Sequence, residues 1–379
     1  MSDASKRIMI VAGEASGDLH GAHLVRAMLE HDPSLTFYGV GGKRLEEAGV
    51  TLVAHAADMA VVGLTEVVSK LGMILGVMGK LKASFITHKP DLIILIDYPD
   101  FNLPMAKAAK KKGIKVFYYI SPQVWAWRKG RVRKIRKVVD KMAVILPFEE
   151  DFYRQAHVDV AYVGHPLLDA VRTRYSRDEA QRQFGLRAEG KTIGLLPGSR
   201  QSEVVKLLPI MLGAAAIIKE RLPDVQFVLP LAETLERDFV ARMIDAGPVN
   251  VKIIEDAIYD VIAVSDMVIV ASGTATLETG LLMTPMLIVY KISPLSYLLG
   301  RLFISVSHIG LVNIIAGKTV VPEYIQGDAT PERLAAYLLE TITDKRRMTA
   351  IKSDLSEIKN KLGEPGAAKR AAALAYGML

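Results

Sequence analysis

Short apolar runs alternate with helix-length segments along the whole chain, and this alternation restricts the fold more than any other feature of the sequence. In the first half the runs fall at residues 7–12, 36–40, 91–96, 116–120, 141–145 and 161–163. In the second half they fall at 192–196, 226–229, 251–254, 267–271 and 286–290. Helical patterns fill the gaps, for example over 20–30, 103–112, 203–220 and 276–282. Runs that are apolar throughout read as strands buried on both faces, and helix-length connections make such strands parallel. One doubly wound sheet rarely needs eleven strands, so the sequence predicts two α/β domains. The pattern breaks at residues 164–174, where Gly164 and Pro166 precede polar residues. The expected division is an N-terminal domain over 1–168, a second over 169–345, and closing helices over 346–379. Residues 293–322 read as loop.

Lys and Arg number 48 against 41 Asp and Glu, a formal charge of +7 that favours an anionic partner: nucleic acid, an acidic membrane or a phosphorylated substrate. With no cysteine in 379 residues, disulfide scaffolds, thiolate metal sites and cysteine nucleophiles are excluded. No signal-peptide anatomy is seen at the start. Residues 59–81 are apolar and long enough to span a bilayer, but Glu66 and Lys70 lie inside them, and central charges are costly there. Leu64, Val67, Val68, Leu71, Ile74, Leu75, Met78 and Leu81 follow helical spacing. The stripe is expected to lie on a membrane rather than cross it, with a core-facing helix as the alternative. Residues 128–141 hold eight basic residues and one acid, and 107–115 hold five more basic residues, a solvated face or an anionic surface site. No nucleic-acid-binding module accompanies them, and no histidine spacing suits a metal.

Three loops carry the candidate chemistry. After the first strand, Gly13, Gly17 and Gly21 permit close backbone approach at a helix start, but the loop fits neither the dinucleotide nor the P-loop fingerprint. Its acids Glu14 and Asp18 suit sugar hydroxyls better than phosphate. The alternative is a plain strand–helix turn capped by Ser16 or Asp18. After the third run come Asp97 and Asp100; an acid at the carboxyl end of a parallel strand lines the ligand crevice and can act as a general base. Asp97 is the better candidate, and Asp100 fits a cap or loop ion pair. In the second domain, Gly198, Ser199 and Arg200 form a turn able to hold phosphate, and Ser272, Gly273 and Thr274 repeat the design. Glu278 sits one helical turn after Thr274, placed to accept from ribose hydroxyls. Together the two loops point to a nucleoside diphosphate.

The strings VAGEASGD, IDYPDFN, YYISPQVWAWR, LPFE, LLPGSR, ASGTATLE and LVNIIAG resemble, in combination and nearly end to end, the lipid-A-disaccharide synthases, inverting glycosyltransferases of the GT-B fold. The resemblance implies two Rossmann-like domains facing a central cleft, with the C-terminal helices returning to the first. It implies transfer from UDP-2,3-diacylglucosamine to 2,3-diacylglucosamine 1-phosphate, giving a β-1,6 disaccharide 1-phosphate and UDP. It also implies Asp97 as the base, Glu14 as its catalytic neighbour, Ser16 and Asp18 near the sugar, and Arg200, Gly273, Thr274, Glu278 and Asn313 at UDP. No cofactor, metal or nucleic acid is expected. The expected setting is the cytoplasmic face of the inner membrane, with a homodimer allowed. A UDP-sugar epimerase of the same architecture, or a non-enzymatic basic peripheral membrane protein, are the competing readings.

Overall fold

The computed structural model describes residues 5–59, 64–127, 129–292 and 307–379, with the side chains of 58–71 and 126–129 outside that description. The chain divides into two units, Met1–Pro166 with Glu364–Leu379, and Leu167–Gly363.

The first unit holds a seven-stranded sheet: β1 (Arg7–Ala12), β2 (Thr36–Gly41), β3 (Val50–His55), β4 (Leu92–Ile96), β5 (Lys115–Tyr119), β6 (Lys141–Val144) and β7 (Val160–Tyr162), in the order 3-2-1-4-5-6-7. Every pairing is parallel, with Ala12 beside Ile96 and Ile96 beside Tyr119. Both faces are covered, which is why β4, Leu-Ile-Ile-Leu-Ile, is buried at all positions. On one face Met105, Tyr118 and Ile135 pack together; on the other, Leu24, Phe117 and Ala372.

The second unit repeats the design with six strands: β8 (Thr192–Leu196), β9 (Gln226–Pro230), β10 (Val251–Ile254), β11 (Met267–Ala271), β12 (Met286–Tyr290) and β13 (Glu323–Ile325), in the order 10-9-8-11-12-13. These pairings too are parallel. Among the described residues one helix, Gln201–Arg221, is long and apolar enough to cross a membrane; its Val204, Leu208, Met211 and Ile218 are buried in this unit's core.

In each sheet the strand order reverses at one place, between β1 and β4 and between β8 and β11. Helices leave such a switch point on opposite faces, so the strand ends there open a crevice. The loops after those four strands are the ones singled out by sequence.

Three sequence expectations differ from the structure. The helix Lys345–Lys361 belongs to the second unit, and only Ala367–Tyr376 joins the first, where Ala371, Ala372 and Ala375 are buried against the first helix. Within 293–322, Leu311–Ala316 is helical, while 293–306 lie outside the described residues. The apolar stripe lies on the helix Leu64–Thr87, but it does not form one outward face. Ile74 and Met78 pack against the sheet beside Val77, Leu81 and Phe85, whereas Met73, Leu75 and Ile86 are 50%, 56% and 63% exposed. Leu64, Val67, Val68 and Leu71 fall among the side chains not described.

Candidate active site

Asp97 follows β4 in an unusual conformation. It and Tyr98 both have left-handed backbones, φ 42° and 45°, at residues other than glycine. Each such residue costs roughly 1–2 kcal/mol, so the surroundings must hold it. They do. The Asp97 N–H donates to the Ile120 carbonyl at 3.2 Å. The Asp97 carbonyl accepts from Asn102 Nδ2 at 2.8 Å and from the Tyr118 hydroxyl. Asn102 is fully buried and also binds the Ile96 carbonyl at 3.1 Å. Pro99 then opens the helix Pro99–Lys110 at a position where no amide hydrogen is needed.

The result is a carboxyl turned out of the strand end but partly withdrawn from water. Its pKa is pushed up to about 6, first by desolvation and then by the negative charge of Glu14, against a backbone hydrogen bond that lowers it. Glu14 itself is exposed at the start of the helix Ala15–His31 and caps nothing with its side chain. The structure therefore brings Glu14 and Asp97 into one electrostatic site. Gly13 is required here: a Cβ at this position would lie 2.3 Å from Cδ1 of Tyr98.

Asp18 does something else than the sequence suggested. It is buried and accepts from the amides of Gly42 at 2.6 Å, Arg44 at 3.1 Å and Leu45 at 3.1 Å. These bonds fix the turn after β2 and leave the carboxylate little capacity for a sugar hydroxyl. Nor does it cap the helix it lies in. Ser16 is exposed in the first turn of that helix, without a capping bond. Asp100 pairs with Arg131 at 2.6 Å, the loop ion pair that was the alternative reading.

Sequence reasoning missed a buried network beside this site. Glu149 is 1% exposed and accepts from Ser121 Oγ at 2.6 Å, Trp125 Nε1 at 3.0 Å and the Leu146 amide at 3.1 Å. Burial pushes its pKa up to about 7 against those donors. The network ties down the segment after β5, whose Ile120 carbonyl holds Asp97. The only signal in sequence was the Glu of LPFE, and its side-chain partners Ser121 and Trp125 lie more than twenty residues away.

In the second unit, Gly198, Ser199, Arg200, Ser272, Gly273, Thr274 and Glu278 all line one cavity of about 290 Å³ at the β8/β11 switch point. Gly198 has φ 111°, and a Cβ there would meet Glu203 Oε2 at 2.4 Å. Glu203 also holds the Arg200 guanidinium at 3.1 Å, a contact missed from sequence. The helix Thr274–Leu281 starts at Gly273, so its first amides open into the cavity. Glu278 is largely buried, and desolvation raises its pKa. The Tyr259 hydroxyl donates to its Oε1 at 3.2 Å; no donor to Oε2 is found among the described residues. A second cavity, of about 570 Å³, shares Ser199, Ala232 and Ile258 with the first and extends to Arg172 and Arg174.

Asn313 is not part of this cavity. It is fully buried, with Nδ2 donating to the Val321 carbonyl and Glu323 Oε1, both at 2.8 Å. Its Oδ1 accepts from the amides of Val320 at 2.8 Å and Val321 at 3.1 Å. All its hydrogen-bonding capacity goes into fastening the chain before β13, so the expected UDP contact is corrected to a structural one. Among the described residues no group of three or more acids and histidines could hold a metal ion.

Residues 8–376 match the family model for lipid-A-disaccharide synthetase. The chain belongs to the lipid-A-disaccharide synthase family. The lipid-A-disaccharide synthase of Syntrophus aciditrophicus is 61% identical over 376 residues, 99% of this chain and 98% of that protein. That of Geobacter sulfurreducens is 49% identical, over 100% and 98%. Members of the family are glycosyltransferases of lipid A biosynthesis, and this chain is an enzyme of that class. Among solved structures, the glycotransferase of kitacinnamycin superposes with a TM-score of 0.64 at 16% identity, covering 99% of both chains. The UDP-GlcNAc 2-epimerase of Neisseria meningitidis superposes with 0.62 at 12%, covering 98% of both. These likenesses show the fold, two parallel-sheet Rossmann-like units of GT-B type. Family membership displaces the epimerase and the non-enzymatic readings.

Proposed function

We propose that the chain transfers 2,3-diacylglucosamine from its UDP derivative to the 6-hydroxyl of 2,3-diacylglucosamine 1-phosphate, with inversion. The cavity at the second switch point carries this reading: two glycine turns and a buried carboxylate meet where a nucleoside diphosphate sugar fits. The acceptor O6 attacks C1 of the donor as the bond from C1 to the diphosphate oxygen breaks. The electron pair leaves with UDP, and the hydroxyl proton passes to Asp97. Arg200 and the amides at Gly273 and Thr274 stabilise the charge on the departing diphosphate, so no metal is required. Glu278 accepts from ribose hydroxyls through its unpartnered oxygen. A mass-spectrometric assay with the two acylated substrates tests the reaction; absence of a disaccharide phosphate refutes it.

Arg200→Ala and Glu278→Ala should each weaken UDP binding about tenfold to a hundredfold, the worth of one charge-assisted hydrogen bond. Both should weaken UMP binding as well, since UMP keeps the ribose and one phosphate, and only Glu278→Ala should lose discrimination against a ribose-modified analogue. Calorimetry with both variants binding like the parent would place the donor elsewhere.

The acceptor's acyl chains come from a bilayer, and the cytoplasmic face of the inner membrane is the proposed location. Exposed Met73, Leu75 and Ile86 supply apolar contact, and exposed Arg133 and Arg136 supply attraction to anionic lipid. Replacing Met73, Leu75 and Ile86 by Ser should reduce liposome binding several-fold while UDP affinity and thermal stability stay unchanged. Ile74 and Met78 are excluded from that variant because they pack in the core. Undiminished sedimentation with liposomes would show that these side chains are not the ones that dock.

A further inference from the structure

A cavity of about 590 Å³ lies in the first unit between the helices Pro99–Lys110 and Val132–Val138. Leu103, Pro104 and Val138 give it apolar walls. Lys107, Arg131, Lys134 and Lys137 line it as well, facing a single carboxylate, Asp100. Arg131 is paired with that carboxylate at 2.6 Å, while Lys107, Lys134 and Lys137 have no ion-pair partner among the described residues. Four cations and one acid thus line a groove with a hydrocarbon floor. Solvated lysines usually spread apart; these converge from two helices on one hollow, at positions 103, 104 and 107 of one and 131, 134, 137 and 138 of the other, which is one face of each.

We propose that this groove binds the phosphate of the acylated, phosphorylated acceptor sugar, an inference that rests on the transfer reaction given above. The argument is one of charge, surface and place. A phosphate monoester carries about −1.5 to −2 at neutral pH, which the unpaired lysines match. The apolar walls and the lysine stems suit the acyl chain that accompanies it. The same helix that carries Lys107 begins just after Asp97. Lys107 lies about 12 Å along the axis from Pro99, and its side chain leans back toward the helix start. Pro99 and Asp100, two and three residues after Asp97, line the groove, so it adjoins the place where the acceptor's 6-hydroxyl is read to sit.

The test is the double variant Lys134→Gln/Lys137→Gln, assayed with the phosphorylated acceptor and with the same acceptor lacking its phosphate. Both side chains are exposed, so the fold is not at risk. The variant should raise KM for the phosphorylated acceptor about tenfold, leave KM for the donor unchanged, and lose the parent's preference for the phosphorylated form. An unchanged acceptor KM, or a retained preference, overturns the proposal. Binding to vesicles of phosphatidylglycerol, compared with phosphatidylcholine, separates the other source of phosphate. If the variant loses only its binding to the anionic vesicles, the groove holds a membrane headgroup and the acceptor assignment is wrong. A parent enzyme that makes no disaccharide refutes the reaction itself, independently of these lysines.

Discussion

Asp97→Asn should lower turnover about 10²- to 10⁴-fold, the range general-base catalysis contributes, while UDP affinity stays within a few-fold of the parent. Asn keeps the shape and the backbone bonds to Ile120, Asn102 and Tyr118, so the strand end should stand. Its loss is confined to the proton acceptor. Stability supplies a control. A carboxyl whose folded pKa is raised to about 6 binds its proton more tightly when folded, so its contribution to stability is lost as pH rises from its unfolded pKa through 6. Above pH 6 the buried charge is a cost, and Asn removes it. The variant should therefore melt no lower than the parent at pH 8. Near-normal turnover would transfer the role to Glu14 or to Asp100.

The pH profile follows from the same group. Only the ionised Asp97 accepts a proton, so kcat/KM should fall tenfold per unit below about pH 6. The second cause of the raised pKa is Glu14, and Glu14→Gln should move that limb to lower pH. A limb that stays in place in Glu14→Gln would mean that another group controls it.

The interior of both sheets was legible because parallel strands buried on two faces have no polar positions to obscure them. The two strands missed are edges. β3 mostly alternates half-buried and exposed residues, with Thr51 and His55 among the exposed ones, and β13 is Glu-Tyr-Ile, so neither reads as an apolar run. That the second unit's glycine turns share one cavity was legible because its residues are contiguous in two turns, and a glycine turn after a strand reports its own geometry. Asp18 and Asn313 were misread for the opposite reason. Each stands in a motif-like string, yet its partners arrive from another segment: Gly42 to Leu45 for the one, Val320 to Glu323 for the other. A polar side chain's function depends on what is left over after folding has used its lone pairs, and that remainder is set by tertiary contacts. Glu149 is a further case, a carboxylate whose two side-chain donors, Ser121 and Trp125, both arrive from the segment after β5.

Gly13→Ala should cost the enzyme at least a hundredfold in turnover, though the change is one methyl group and removes no catalytic atom. The added Cβ would lie 2.3 to 2.9 Å from three ring carbons of Tyr98, closer than atoms approach, so the ring must move. Tyr98 has little freedom to do so. Its backbone is already left-handed, its ring stacks on Phe101 at 5.7 Å, and it opens the helix that follows. Displacing it transmits to Asp97, the residue before it, whose own left-handed backbone is held by bonds to Ile120, Asn102 and Tyr118. A displacement of about 1 Å at a reacting group is enough for a loss of order 10². The donor cavity belongs to the other unit, so UDP binding by Gly13→Ala should match the parent. The decisive comparison is with Tyr98→Ala/Gly13→Ala, where the ring that clashes is gone. If the clash is the cause, the second substitution restores part of the turnover that the first removed. If the double variant is no better than Gly13→Ala, the glycine serves the approach of a substrate to the β1 loop and not the placement of Tyr98.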